Sequence, residues 1–149
     1  MKQITSKELR LLSHNFQVRF ALFCANQVKE HWETIPQCVE AIRITELWLE
    51  NKATSEECRI AYRAVDVTYT AANAAHAAAY AVYTAANAVS NGAAYATYTA
   101  AAAAAAAAHA AANAVSNADL DKARIIKEQW DCYNQLLSFH EEFEKRVLT

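Results

Sequence analysis

The sequence predicts an all-α protein: a helical bundle in which a long alanine-rich helical hairpin packs with shorter N-terminal helices and a C-terminal amphipathic helix. Three observations carry that prediction. The 149-residue chain holds one glycine and one proline, too little punctuation for a series of short strands joined by tight turns. Alanine, the residue with the best helix propensity, dominates the composition. Outside the alanine tract, apolar side chains recur at the three- and four-residue spacings of a helix. A chain of this length can bury enough surface to fold as one domain without disulfides or a structural metal. One domain over 1–149 is therefore expected, with N-terminal helices in 1–53, the hairpin in 54–118 and the closing helix in 119–149.

Thr5 and Glu8 have the spacing of a capping box, and Ile4 and Leu9 occupy the positions of a hydrophobic staple, so a first helix should start near Ser6. Phe16, Phe20, Phe23, Cys24, Val28 and Trp32 then share one face of a helix ending near Glu33. Whether residues 13–15 divide this run is open at the level of sequence. Pro36 suits the first turn of the next helix, whose cap falls at or near Thr34. There Glu40, Arg43 and Glu50 make a narrow polar stripe, while Cys38, Val39, Ala41, Ile42, Leu47, Trp48 and Leu49 cover the remaining circumference. That pattern predicts a helix contacted on several sides and central to the core. Asn51 can end it in the left-handed conformation, and Thr54 with Glu57 opens the following helix through a second capping box.

From Ser55 no breaker occurs before Asn91-Gly92, so a helix there could reach roughly 54 Å at about 1.5 Å per residue. Asn91 and Gly92 tolerate positive φ, and a helical hairpin is expected to turn on them. A continuous helix through Gly92 stays open, because it costs only about 1 kcal/mol relative to alanine. Ser116 with Asp119 is a weaker capping box before the last helix, where Leu120, Ala123, Ile126, Trp130, Tyr133, Leu137, His140, Phe143 and Val147 follow the helical period. Glu141 with Lys145 and Glu142 with Arg146 are favourable surface pairs on it.

Residues 67–118 contain no Asp, Glu, Lys or Arg, and more than half are alanine. Degenerate repeats run through this tract: YTAANA begins at Tyr69 and Tyr83, YTAAAA at Tyr98, and AANAVSN at Ala85 and Ala111. Tyr62, Tyr69, His76 and Tyr83 stand seven apart, with Asp66, Asn73, Tyr80 and Asn87 four residues after each, which draws one stripe along a helix. The candidate partner-binding residues are accordingly Tyr62, Tyr69, Asn73, His76, Tyr80, Tyr83 and Asn87. Two arrangements are open. Alanine faces could pack inward at an axial separation of about 8 Å and leave the stripe exposed for recognition. Alternatively the stripe is the seam, with tyrosine rings in the core and hydroxyls reaching Asn or His across it.

The composition excludes several functions. A net charge of −2 provides no basic footprint for nucleic acid. The tract 67–118 is long enough to cross a membrane twice, but it holds no Leu, Ile, Phe or Met to offset its asparagines and histidines in lipid. Cys24, Cys38, Cys58 and Cys132 lack CxxC spacing, and the opening MKQITSKELRLL lacks the apolar run of a signal peptide, so reduced, buried thiols and a cytoplasmic location are expected. His14, His31, His76, His109 and His140 show no i, i+4 pairing and no acidic partner, and no metal site is expected. No glycine-rich phosphate loop or nucleophile elbow occurs, so neither catalytic residues nor a cofactor are assigned, and the chain reads as a non-enzyme.

The run AIRITELWLENKATSEECRIAYRAVD, followed by TAANAAHAAAYAVYTAA, resembles the alanine-rich immunity-protein family encoded beside bacterial polymorphic toxins. The likeness covers Ala41 to about Ala118. It lies in a Trp-containing helix end, a short Ala-Thr turn and a Glu-Glu-x-Arg opening before a tyrosine-bearing alanine tract. Asn51 stands where that turn often carries glycine, and the Asp and Arg residues that punctuate the family's tract are missing here. The resemblance implies an all-helical cytosolic protein that binds and neutralises a cognate toxin without catalysis of its own. A second reading is a self-associating scaffold, a homodimer joined through alanine faces. The TAANA strings also resemble alanine-rich helical antifreeze peptides, but Thr70, Thr84, Thr97 and Thr99 do not keep those peptides' eleven-residue period, which leaves ice binding an outside reading.

Overall fold

The computed structural model describes residues 2–66, Val89, 96–114 and 119–148. These form an all-α bundle of seven helices with no strand among the described residues: α1 (Ser6–Leu9), α2 (His14–Gln27), α3 (Lys29–Trp32), α4 (Pro36–Leu49), α5 (Ser55–Asp66), α6 (Ala96–Ala114) and α7 (Asp119–Leu148). None of these helices is long and apolar enough to cross a membrane.

The local signals near the N-terminus act as their chemistry requires. Both the backbone N–H of Thr5 (3.0 Å) and its hydroxyl donate to the Glu8 carboxylate, and the staple residues Ile4 and Leu9 are fully buried. Ser13 divides the long run, because its Oγ accepts from the Phe16 amide at 3.3 Å and so opens α2. A second break falls at Val28, where φ −118° and ψ 26° leave the helical region between α2 and α3. The N-cap of α4 is Ile35, one residue past Thr34, with Pro36 in the first turn and no side-chain cap. Asn51 takes φ 60°, the left-handed conformation, at the end of α4. At the start of α5 the Thr54 amide and hydroxyl both donate to Glu57, and Thr54 Oγ1 accepts from the Glu57 amide.

Two expectations about packing are corrected. Phe23 does not belong to the buried face of α2: it is 36% exposed, while Gln17, Val18, Phe20, Ala21, Leu22, Cys24 and Ala25 are buried. Nor, among the described residues, is α4 the centre of the core, although Cys38, Ala41, Ile42 and Ile44 are buried in it. It packs mainly against α5 and only lightly on α2, and Val39 is 43% exposed. Among the described residues the central position belongs to α6, whose most extensive partner is α2, followed by α1 and α7. Ala103, Ala104, Ala105, Ala107, Ala108, Ala110, Ala111 and Ala112 are all buried, whereas His109 and Asn113 mark its open line. A helix enclosed on most of its circumference needs small side chains, because methyl groups let neighbouring axes approach closely.

Polar side chains fasten this alanine cylinder. Gln129 of α7, itself buried, donates from Nε2 to the Ala108 carbonyl at 3.0 Å and to Gln27 Oε1 at 3.0 Å. Gln27 in turn donates to the Ile125 carbonyl (3.1 Å) and to Glu128 Oε1 (3.2 Å). Gln17 donates to the carbonyls of Leu9 (2.9 Å) and Leu12 (3.3 Å), closing the corner between α1 and α2. The Gln17 bonds satisfy backbone carbonyls at the bend between α1 and α2, while Gln129 and Gln27 reach carbonyls inside α6 and α7 and tie helices together where alanine supplies no reach.

Around α1 the backbone is held in the same way. The Trp130 indole donates to the Lys2 carbonyl (2.7 Å), His109 Nε2 lies 3.1 Å from the Ile4 carbonyl, and the Tyr133 hydroxyl donates to the Glu8 carbonyl (3.0 Å). Burial, followed by the charges of Glu8 and Glu141, raises the Tyr133 pKa and keeps this donor protonated.

The expected turn at Asn91-Gly92 and the Ser116 cap lie outside the described residues, as do the side-chain placements of Leu120, Phe143 and Val147 and the pairs of Glu141 and Glu142 with Lys145 and Arg146.

Candidate protein-binding surfaces

Tyr62 is the one candidate partner-binding residue of the stripe among the described residues; Tyr69, Asn73, His76, Tyr80, Tyr83 and Asn87 lie outside them. On α5, Cys58, Ala61 and Val65 are buried, and Tyr62 follows Cys58 by four residues on that inward side. Its ring is half-buried and packs against the core. The opposite face of α5 carries the Glu56–Arg59 ion pair, Arg63 and Ile60, the last 62% exposed. Tyr62 therefore lies on the half-buried side of α5.

A second surface forms where α2 meets α7. The two helices run antiparallel, because the Phe16 ring lies 6.3 Å from that of His140 at 71° while Gln27 reaches Ile125 and Glu128. Along their outer seam an open cleft of about 450 Å³ is lined by Phe23, Asn26, Gln27, Glu128, Asp131, Cys132 and Gln135. Phe139, one helical turn beyond Gln135, is 55% exposed. The glutamine network of Gln27 and Gln129 lies at the base of the seam and fixes its walls.

Electrostatics at this seam are simple. Glu128 accepts from Arg124 at 3.4 Å and Asp131 from Lys127 at 2.9 Å, each one turn away. The Asp131 carboxylate raises the Lys127 pKa, first by hydrogen bonding and then by its charge. Burial pushes the Cys132 thiol up to about 11, and desolvation, followed by the charge of Cys132, also raises the fully buried Cys24 on the facing helix. Both thiols are therefore protonated and poorly nucleophilic at neutral pH.

The histidines have structural surroundings: His14 packs edge-on to Trp48 at 5.3 Å, His31 sits 3.6 Å from Glu30, and His109 and His140 meet Ile4 and Phe16 as described. His76 lies outside the described residues. Among the described residues no three His, Cys, Asp or Glu side chains converge as metal ligands would. All four cysteines are free thiols, three of them buried.

Sequence reasoning passed over the α2–α7 seam. Gln129 carried a signal, because it sits at helical spacing between Ile126 and Tyr133, where a buried polar side chain needs a specific partner. Phe139 carried another, being out of phase with the predicted apolar face. Comparison with known proteins finds no matching family model, no matching curated protein and no matching solved structure.

Proposed function

We propose that this chain is a non-catalytic protein-binding module of the immunity type, acting in the cytoplasm by covering the active surface of a cognate toxin. The observation that carries the reading is the α2–α7 face. Phe23 and Phe139 stand exposed beside a cleft whose walls are joined by the buried Gln129 and the half-buried Gln27. Exposed aromatic side chains on a rigid support are effective anchors for a protein partner, because little conformational freedom is lost on docking. The resemblance over Ala41–Ala118 supplies the class of partner.

Self-association through alanine faces has less support. The methyl surface of α6 is already covered by α1, α2 and α7 within one chain, so this leg leaves little alanine surface for a second copy. The tyrosine stripe remains a second candidate contact surface, with Tyr62 as its first member.

The test is growth rescue in cells that express the product of the gene beside this one, which the reading expects to be a toxic domain. Wild type should restore growth, and Phe23→Ala with Phe139→Ala should reduce the protection at least tenfold at an unchanged melting temperature. Tyr69→Ala with Tyr83→Ala asks the same of the stripe. Failure of the wild-type protein to protect sinks the reading.

A further inference from the structure

We infer that the α2–α7 cleft receives an amphipathic helix of a protein partner, one bearing apolar side chains at positions i and i+7 and a lysine or arginine about one turn further on. This deepens the protein-binding reading above and rests on it. The register of the two helices, set by Phe16 at His140 and Gln27 at Glu128, brings Phe23 beside Cys132, and both line the cleft. Phe139 lies seven residues further along α7, about 10 Å along the axis. Two exposed phenylalanines at that separation match side chains two turns apart on a helix laid along the seam, the usual geometry of helix-in-groove recognition.

Charge selects the other end of the occupant. The charged groups lining the cleft are both carboxylates, Glu128 and Asp131, while their partners Arg124 and Lys127 stand outside the lining. Glu128 is one turn before Cys132 on α7, about 6 Å from it along the axis and on the side away from Phe139. Gln27 holds the Glu128 carboxylate by a 3.2 Å hydrogen bond, so the acceptor is oriented before any partner arrives. A basic residue one turn past the second apolar anchor meets that carboxylate, whereas an acidic residue there is repelled.

The experiment uses the full chain, labelled with ¹⁵N, and two designed helical peptides. Both carry leucine at i and i+7; one has lysine and the other glutamate at i+11. The lysine peptide should shift the resonances of Phe23, Glu128, Gln135 and Phe139 and bind at least tenfold more tightly than its glutamate twin. Glu128→Gln with Asp131→Asn should remove that preference, and Glu128→Lys with Asp131→Lys should reverse it. Equal binding of the two peptides, shifts confined to another face, or a dimer in light scattering that Phe23→Ala dissociates would each overturn the inference. Should the lysine-substituted variant still neutralise the toxin as wild type does, the inference fails and the proposed function stands. If the lysine peptide binds as described but wild type never protects against the toxin, the proposed function fails instead.

Discussion

Gln129 on α7 donates one hydrogen bond to the backbone of Ala108 on α6 and a second to the side chain of Gln27 on α2, both at 3.0 Å. One buried amide thus joins three helices at a level where α6 offers only methyl groups. Replacing Gln129 with alanine removes both bonds and leaves a cavity, and should lower unfolding free energy by about 2–4 kcal/mol in urea titrations. Unchanged stability would show that the network is incidental to the packing.

The enclosure of α6 makes its response to size depend on position. Ala107→Leu, at a fully buried site, should destabilise by about 1–3 kcal/mol through overpacking. At half-buried Ala106, close to the open line of His109 and Asn113, the same change should cost less than about 1 kcal/mol. Thermal melts of the two variants side by side check the asymmetry.

Acid should weaken the first capping box. The Thr5 hydroxyl, followed by the backbone amides and Lys2, overcomes partial desolvation and holds the Glu8 pKa down to about 2, against a usual 4.5. A carboxylate depressed in the folded state stabilises it above the unfolded pKa and loses that contribution as pH falls from about 4.5 to about 2. Glu8→Gln should flatten this part of the stability–pH curve, measured by denaturant unfolding at successive pH values.

The thiols should react slowly and in a set order. Cys132 lines the cleft and Cys24 is wholly enclosed, so iodoacetamide should label Cys132 first and Cys24 last, as read by peptide mass spectrometry. Between pH 7 and 10 the Cys132 rate should rise close to tenfold per unit, because its pKa near 11 keeps the thiolate fraction small throughout.

Trp130→Phe should loosen the opening segment without unfolding the bundle. It deletes the bond to the Lys2 carbonyl but keeps most of the ring's packing. Faster amide exchange confined to residues 2–9 is the expected signature.

How much of this was legible in the sequence follows from how local each signal is. Both capping boxes, the staple of Ile4 and Leu9 and the left-handed Asn51 need only neighbours within a few residues, and all are present. The centrality of α6 was not legible, because alanine carries no amphipathic signature: a methyl surface reads alike whether it is covered or bare. Phe23 was misplaced for a related reason. Helical spacing assigns it to a face, but the antiparallel seat of α7 decides where the edge of that face falls. The candidate residues beyond Tyr62 lie outside the described residues, so the two arrangements are distinguished by the melting temperature of the Tyr69→Ala, Tyr83→Ala variant read beside its growth rescue.

The clamp on the opening segment bears on the order in which the chain can fold. The carbonyls of Lys2, Ile4 and Glu8 wait for Trp130, His109 and Tyr133, partners separated from them by 128, 105 and 125 residues. While the chain is being synthesised, α1 is therefore held only by its corner with α2, through Gln17, until α6 and much of α7 have left the ribosome. Helical proteins built on local contacts fold quickly because little loop entropy must be spent before contacts form. Here the closing contacts are among the most distant the chain can make, so docking of α1 should be a late and comparatively slow event. Until then the methyl groups of α6 that α1 covers stay open to water, and that interval is when the nascent protein is most exposed to misassembly.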